Sequence, residues 1–117
     1  MFSYENLEVY KKAYQTNQKV YRLLKGNKTI VPYAKNQLGR ASLSIMLNIA
    51  EGSAKFSNKD RMNFFITARG SAFECSSILN FLYDEGEIET DLKANLYFSY
   101  EEISRMLFAM IKNLKGE

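Results

Sequence analysis

Apolar residues recur at three- and four-residue intervals along four segments of the chain, and short polar links separate these segments. This spacing is typical of amphipathic helices and predicts helices over about 5–24, 32–51, 58–84 and 90–115. Pro32 fits the first turn of the second helix, and Ser57 with Asp60 resembles a capping box before the third. Similar helix lengths and short links predict one all-α domain over residues 1–117, an antiparallel up-down-up-down four-helix bundle.

Each predicted helix has one apolar face that we expect to form the core. In the first helix this face is Leu7, Tyr10, Ala13, Tyr14, Val20, Tyr21 and Leu24, and in the second it is Leu38, Ala41, Ile45, Ile49 and Gly52. In the third it is Phe64, Ala68, Ser71, Ala72, Cys75, Leu79 and Leu82, and in the fourth Leu92, Leu96, Ile103, Met106, Leu107, Met110 and Leu114.

The second and third helices carry more apolar surface than one bundle core can bury. A four-helix bundle buries one side of each helix, whereas these two helices are apolar on two sides. The excess predicts a homo-oligomer, with interface candidates Leu43, Met46, Leu47, Met62, Ile66 and Phe73. Phe98 and Phe108 also point away from the predicted core of the fourth helix.

Polar residues interrupt the apolar run of the second helix. Asn48 and Glu51 lie in the segment Ser44-Ile45-Met46-Leu47-Asn48-Ile49-Ala50-Glu51-Gly52-Ser53. Unpaired polar groups are costly beside apolar surface, so these residues need partners. We expect Glu51, and Glu74 of the third helix, to pair with Arg40 and Arg69 in a structural charge network, either within one chain or across a boundary between subunits.

The net charge of +3 is distributed unevenly along the sequence. Residues 1–70 hold 12 Lys and Arg against 4 Asp and Glu, and residues 71–117 hold 4 against 9. Two interpretations stand: the halves attract each other across antiparallel helices, or the basic half binds nucleic acid. The candidate nucleic-acid-binding residues are Lys11, Lys12, Lys19, Arg22, Lys25 and Lys28.

Little in the chain suggests catalysis, a cofactor or a metal. It has no histidine, which excludes di-iron bundle sites, histidine-based triads and the common zinc sites. Cys75 faces the predicted core without a basic neighbour, as a packing thiol does. No secretion signal and no apolar run of about 18 residues is found, so we expect a cytoplasmic, non-enzymatic protein without a membrane span.

The central sequence pattern resembles that of the bacterial four-helix bundle protein family. That family is named for proteins encoded in intervening sequences of large-subunit ribosomal RNA genes. The signature residues that carry the resemblance are Gln37, Arg40, Ser44, Asn48, Glu51, Gly52 and Glu74. Matches near both termini extend it over nearly the whole chain, although Met46-Leu47 stands where the family often has Pro-Ser.

This resemblance implies an antiparallel bundle that assembles as a ring of identical copies, a pentamer. The accessory proteins of diversity-generating retroelements are related to the family. They are basic, form such rings, and bind nucleic acid and a reverse transcriptase. By this resemblance the expected partners are further copies of the chain, RNA or DNA, and a reverse transcriptase.

Two functional hypotheses follow from the sequence. The first is a non-enzymatic homo-oligomeric scaffold that binds RNA or another nucleic acid through its basic surface. The second is a protein–protein interaction module with no nucleic-acid ligand, for which the extra apolar residues argue. An enzyme would need a polar pocket with convergent ionisable groups, and the sequence offers no candidate for one.

Overall fold

The computed structural model describes residues 1–116 and contains four long helices in that range. They are α1 (Glu8–Leu24), α2 (Pro32–Ser53), α3 (Asn58–Asp84) and α4 (Thr90–Lys115), preceded by a 3₁₀ turn at Ser3–Asn6. No strand occurs in these residues, and the predicted all-α four-helix bundle is confirmed.

Each helix packs on its two neighbours in the order α1, α2, α3, α4 and back to α1. Within the described residues the diagonal pairs, α1 with α3 and α2 with α4, have no comparable backbone approach. This is the arrangement of an up-down-up-down bundle. It gives the molecule four outer faces, each formed by two adjacent helices.

Local chemistry sets the helix ends close to where the sequence predicts them. Pro32 occupies the first turn of α2, where its missing N–H costs nothing. The Ser57 side chain caps α3 by accepting a hydrogen bond of 3.1 Å from the backbone N–H of Asp60. Gly26 follows α1 with φ of 71°, a left-handed conformation that glycine adopts without strain.

The core fills the space between the four helices and includes one buried polar contact. Leu38, Ile45, Leu79 and Ile103 are among its fully buried side chains. The buried Tyr100 donates a hydrogen bond to Ser42 Oγ, so neither hydroxyl is left unpaired.

The buried face of α1 differs from the predicted one. Val9 and Thr16 are buried, whereas Tyr14 and Tyr21 are exposed. Thr16 tolerates burial because its hydroxyl donates to the backbone oxygen of Lys12 at 2.8 Å. The predicted face was therefore wrong at Tyr14 and Tyr21, whereas Ala13 and Val20 are buried and Leu7, Tyr10 and Leu24 pack against the core as predicted.

Smaller corrections apply to α3 and α4. Phe65, not Phe64, is the buried phenylalanine of α3. In α4 the core takes Ser99, Tyr100 and Ile111, which the apolar spacing did not select.

The links at the two ends of the bundle are tied together by hydrogen bonds. At one end the backbone N–H of Val31 donates to Glu87 Oε1 at 2.8 Å, joining the α1–α2 and α3–α4 links. At the other end Asn58 Nδ2 donates to the backbone oxygen of Leu114 at 3.3 Å, joining the start of α3 to the end of α4.

Candidate functional site

The signature polar residues lie where α2 packs on α3, and most of them serve the fold. Ser44 Oγ and Ser71 Oγ are 3.1 Å apart across the two helices. Asn48 Nδ2 donates to the backbone oxygen and to Oγ of Ser44, at 2.8 and 2.9 Å. Gln37 Nε2 donates to the Glu74 carboxylate. These contacts fix the register of α2 against α3.

Gly52 explains why the motif ends in glycine. A Cβ added at Gly52 would lie 2.7 Å from Cε1 of Phe65 and 3.0 Å from Cβ of Phe64. Contacts this short exclude a larger residue unless α3 moves away. Gly52 therefore permits the close approach of α2 and α3.

The predicted charge network of Arg40, Arg69, Glu51 and Glu74 does not form within one copy of the chain among residues 1–116. The ion pairs among residues 1–116 are instead Lys11 with Glu8 and Lys12 with Glu102. Arg40 and Glu51 are exposed to solvent. Arg69 extends from the opposite edge of α3, toward α4, and so cannot reach Glu74 on the α2 side.

One outer face, the α3–α4 face, is apolar around Arg69. We define it by Ile66, Arg69 and Phe73 of α3 and Arg105 and Phe108 of α4. The Arg69 guanidinium carbon is 4.7 Å from the ring centroid of Phe73 and 5.3 Å from that of Phe108. Ile66, Phe73 and Phe108 are 51%, 54% and 49% exposed. Arg69 Nε is buried and has no hydrogen-bond acceptor within the described residues.

A second apolar surface, the α1–α2 face, consists of Tyr14 and Tyr21 of α1 and Leu43, Met46 and Leu47 of α2. Leu43 and Leu47 are 43% and 48% exposed, and Met46 is half-buried against the core. Gly39 faces α1, because a Cβ added there would lie 3.4 Å from Leu24 of α1. Leu43 and Met46 follow Gly39 by four and seven residues, and this spacing places all three on the same side of α2. Leu43 and Met46 therefore lie on the α1 side of α2, and Leu47, one turn after Leu43, is directed away from the core.

The two faces lie on opposite sides of the bundle, because the pair α1 and α2 is opposite the pair α3 and α4. The interface candidates consequently separate into two groups. Leu43, Met46 and Leu47 lie on the α1–α2 face, and Ile66 and Phe73 lie on the α3–α4 face. Met62 is half-buried against the core. Sequence spacing found these residues and placed Arg69 beside Ile66 and Phe73, but it did not find Tyr14 and Tyr21 as parts of the α1–α2 face.

The six candidate basic residues of α1 and the link that follows it fall into two groups. Lys12 Nζ is 2.7 Å from Glu102 Oε1, and Lys19 Nζ donates to Asn95 Oδ1 at 3.1 Å, so both bind α4. The other four candidates, Lys11, Arg22, Lys25 and Lys28, are exposed. Part of the basic charge thus serves contacts between helices, and the remainder faces solvent.

Burial keeps the two ionisable groups of the core, Cys75 and Tyr100, in their neutral forms. Burial raises the pKa of the Cys75 thiol to about 12, so the thiol stays protonated at neutral pH. Burial also raises the pKa of Tyr100 well above its usual value. Residues 1–116 contain no group of three or more Cys, Asp or Glu side chains arranged to hold a metal ion. No helix in that range is long and apolar enough to cross a membrane.

Comparisons with known proteins agree with this architecture. The model of a family described as 23S rRNA-intervening sequence protein matches residues 5–109. A solved structure of a protein with unknown function from the S23 ribosomal protein family of Bacteroides thetaiotaomicron superposes with a TM-score of 0.84. It is 23% identical, and the match covers 89% of this chain and 98% of that one. No curated protein matches the chain significantly.

Proposed function

The chain belongs to the 23S rRNA-intervening sequence protein family, and we propose that it is a non-enzymatic scaffold in which identical copies close into a ring and bind RNA. The observation that carries the proposal is the pair of apolar faces on opposite sides of the bundle. Single exposed apolar residues are ordinary on protein surfaces, whereas contiguous patches mark interaction sites.

Two different faces on opposite sides favour a head-to-tail contact between copies. In such a contact the α1–α2 face of one copy packs on the α3–α4 face of the next. Head-to-tail contacts build a closed ring when repeated rotation from copy to copy returns to the first copy, and an open filament when it does not.

The heights of the exposed residues along the bundle support closure. At about 1.5 Å per residue, Leu47 and Leu43 lie about 9 and 15 Å from the Ser53 end of α2. Ile66 and Phe73 lie about 12 and 22 Å from the Asn58 end of α3, which is the same end of the bundle. In a ring whose axis is parallel to the helices, each copy is related to the next by a rotation that leaves positions along the axis unchanged. Because the two faces overlap in their positions along the bundle, they can meet in such a ring without a shift along the axis. A shift would produce a filament.

The number of copies and the further partners rest on the family resemblance. A ring of five is the size that the resemblance implies, and a reverse transcriptase is the protein partner that it implies. RNA binding is supported by the exposed basic residues, since a ring repeats each of them around its circumference. Repetition of weak phosphate contacts raises the overall affinity without any new contact in one copy.

Sedimentation equilibrium of two charge-bearing variants tests the head-to-tail contact. The wild-type chain is expected to sediment at several times 13.5 kDa. Leu47→Glu places a charge on the α1–α2 face, and Phe73→Glu places one on the α3–α4 face. Each variant alone is expected to be a monomer, because each lacks one of the two required faces.

A mixture of the two variants separates this arrangement from others. The intact α3–α4 face of Leu47→Glu can bind the intact α1–α2 face of Phe73→Glu, so an equimolar mixture should form a dimer of about 27 kDa, twice the mass of one chain. If instead each face bound the same face of another copy, a single face would suffice for assembly. The variant substituted on the other face would then keep the wild-type mass on its own. A wild-type monomer at micromolar concentration would contradict the scaffold altogether.

The alternative function, a protein–protein interaction module without a nucleic-acid ligand, is favoured by one residue. Phe98 of α4 is 55% exposed and belongs to neither face. A heterologous protein could bind there without disrupting a ring. This alternative predicts that the assembled chain does not bind structured RNA at about 100 mM salt.

A further inference from the structure

The link between α2 and α3 exposes a phenylalanine that the fold does not use. Phe56 is 98% exposed, whereas Phe65, on the adjacent helix, is buried. Both faces of the Phe56 ring are therefore open to solvent. An aromatic ring presented in this way can stack on another planar group.

The backbone around Phe56 is held in place, so the ring is presented at a defined position. Arg61 Nε, in the first turn of α3, donates to the backbone oxygen of Lys55 in the link at 2.7 Å. Ser57 caps α3 directly after Phe56. The bond from Asn58 to Leu114 brings the end of α4 beside the same link.

Cationic residues are frequent at this end of the bundle. We define the basic tip as Phe56 with Lys55, Lys59 and Arg61 of the link and the start of α3, and with Lys112 and Lys115 in the last turn of α4. Asp60 is the one acidic residue within 54–61, and 109–116 contains none. The opposite end of the bundle carries five acidic residues within 84–91. A polyanion is attracted to the tip and repelled from the far end.

We propose that the basic tip binds single-stranded nucleic acid, with a base stacked on Phe56 and phosphates beside the surrounding cations. This proposal rests on the nucleic-acid function proposed above and assigns it to a site outside the basic residues of α1. In a ring whose axis is parallel to the helices, every tip lies on the same side of the ring. One strand can then contact several tips in succession.

The chemistry of the tip favours a nucleic acid over an anionic membrane. Membrane attachment increases with the apolar area that is buried, and one phenylalanine per copy supplies little. Stacking needs one accessible ring, and proteins that bind single strands combine such rings with a basic surface.

Fluorescence anisotropy with a labelled uridine homopolymer of about 20 nucleotides tests the proposal. At about 100 mM salt the wild-type chain should bind the probe, and Phe56→Ala should weaken binding about fivefold or more. Phe56→Trp should retain the affinity, because tryptophan also stacks. Lys59→Ala should weaken binding and reduce its dependence on salt.

Matched controls and a second probe make each outcome decisive. Phe98→Ala removes another exposed phenylalanine, and Lys93→Ala removes a lysine near the opposite end of the bundle that is not among the candidate nucleic-acid-binding residues, and neither should change the affinity. Equal binding by Phe56→Ala and the wild type would overturn the proposal, as would absence of binding by the wild type. Phe56-dependent binding to phosphatidylserine vesicles without binding of the oligonucleotide would also overturn it, in favour of a membrane.

Sedimentation of the same samples distinguishes failure of the tip from failure of the ring. Phe56→Ala should keep the wild-type mass, because Phe56 lies in the α2–α3 link and belongs to neither apolar face. Probe binding by a wild-type monomer would contradict the ring and leave the tip supported.

Discussion

The hydroxyl of Tyr100 in α4 donates a hydrogen bond to Ser42 Oγ in α2 across 2.9 Å, and both residues are buried. These helices are a diagonal pair in the bundle, so the long tyrosine side chain spans the core between them. A buried polar contact of this kind specifies which residues meet, because a shift of either helix would leave two hydroxyls without partners.

Removal of one hydroxyl should therefore cost more than removal of both. We expect Tyr100→Phe to lower the free energy of unfolding by about 1–3 kcal/mol, because it leaves the Ser42 hydroxyl buried and unpaired. The double variant with Ser42→Ala should recover part of that loss. Urea unfolding of the four proteins in a double-mutant cycle measures the coupling, and strictly additive losses would contradict it.

Alkaline pH should destabilise the fold, because the buried thiol of Cys75 and the buried hydroxyl of Tyr100 resist deprotonation. Burial raises the pKa of Cys75 to about 12 and raises that of Tyr100 well above its usual value. In the unfolded chain the pKa values of these two groups are about 8.5 for the thiol and about 10 for the phenol. The unfolded state then releases protons that the folded state retains, so the free energy of unfolding falls as the pH rises above about 8.5.

Urea midpoints between about pH 8 and pH 10.5 measure this dependence. Cys75→Ala lowers stability at every pH by leaving a small cavity, but its decline with pH should be shallower than that of the wild type. Parallel declines in the two proteins would rule out a contribution from the thiol.

Substitution of Gly52 should disrupt the contact between α2 and α3. Because an added Cβ would lie 2.7 Å from the Phe65 ring, Gly52→Ala should lower the free energy of unfolding by about 1–3 kcal/mol. Gly70→Ala is the matched control, since nothing lies within 4 Å of an added Cβ there. The control should be stabilised by up to about 1 kcal/mol through helix propensity. Equal effects in thermal unfolding at one protein concentration would contradict the steric explanation.

The sequence predicted those parts of the fold that depend on local rules. Pro32 and Ser57 act through their own turns, so the starts of α2 and α3 followed from residue type and spacing. The inward face of α1 was predicted correctly at Ala13 and Val20 but wrongly at Tyr14, because hydrophobicity ranks Tyr14 above Thr16. That ranking ignores the local hydrogen bond that allows Thr16 to be buried.

The candidate site was harder to predict because it depends on which helices adjoin. The spacing within α2 and α3 identified Leu47 and Phe73 as surplus apolar residues, but only the bundle order places them on opposite sides. Pairing of Arg69 with a carboxylate was expected from charge. The actual partners, Phe73 and Phe108, depend on which edge of α3 carries the guanidinium.

Arg69 should contribute to assembly more than to the stability of one copy. Its guanidinium is positioned between two half-exposed rings, and its Nε has no acceptor within residues 1–116. If the next copy covers the α3–α4 face and supplies that acceptor, Arg69→Ala should weaken self-association about tenfold or more, by analogy with arginine anchors in protein interfaces. Arg69→Lys should also weaken it, because an ammonium group lacks the planar geometry that stacks on both rings. Arg22→Ala removes an exposed arginine of α1 that is part of neither face as defined and should leave the association constant unchanged. Sedimentation equilibrium over a range of concentrations gives the association constants, and similar values for the Arg69 and Arg22 variants would show that the Arg69 cluster does not form part of the contact.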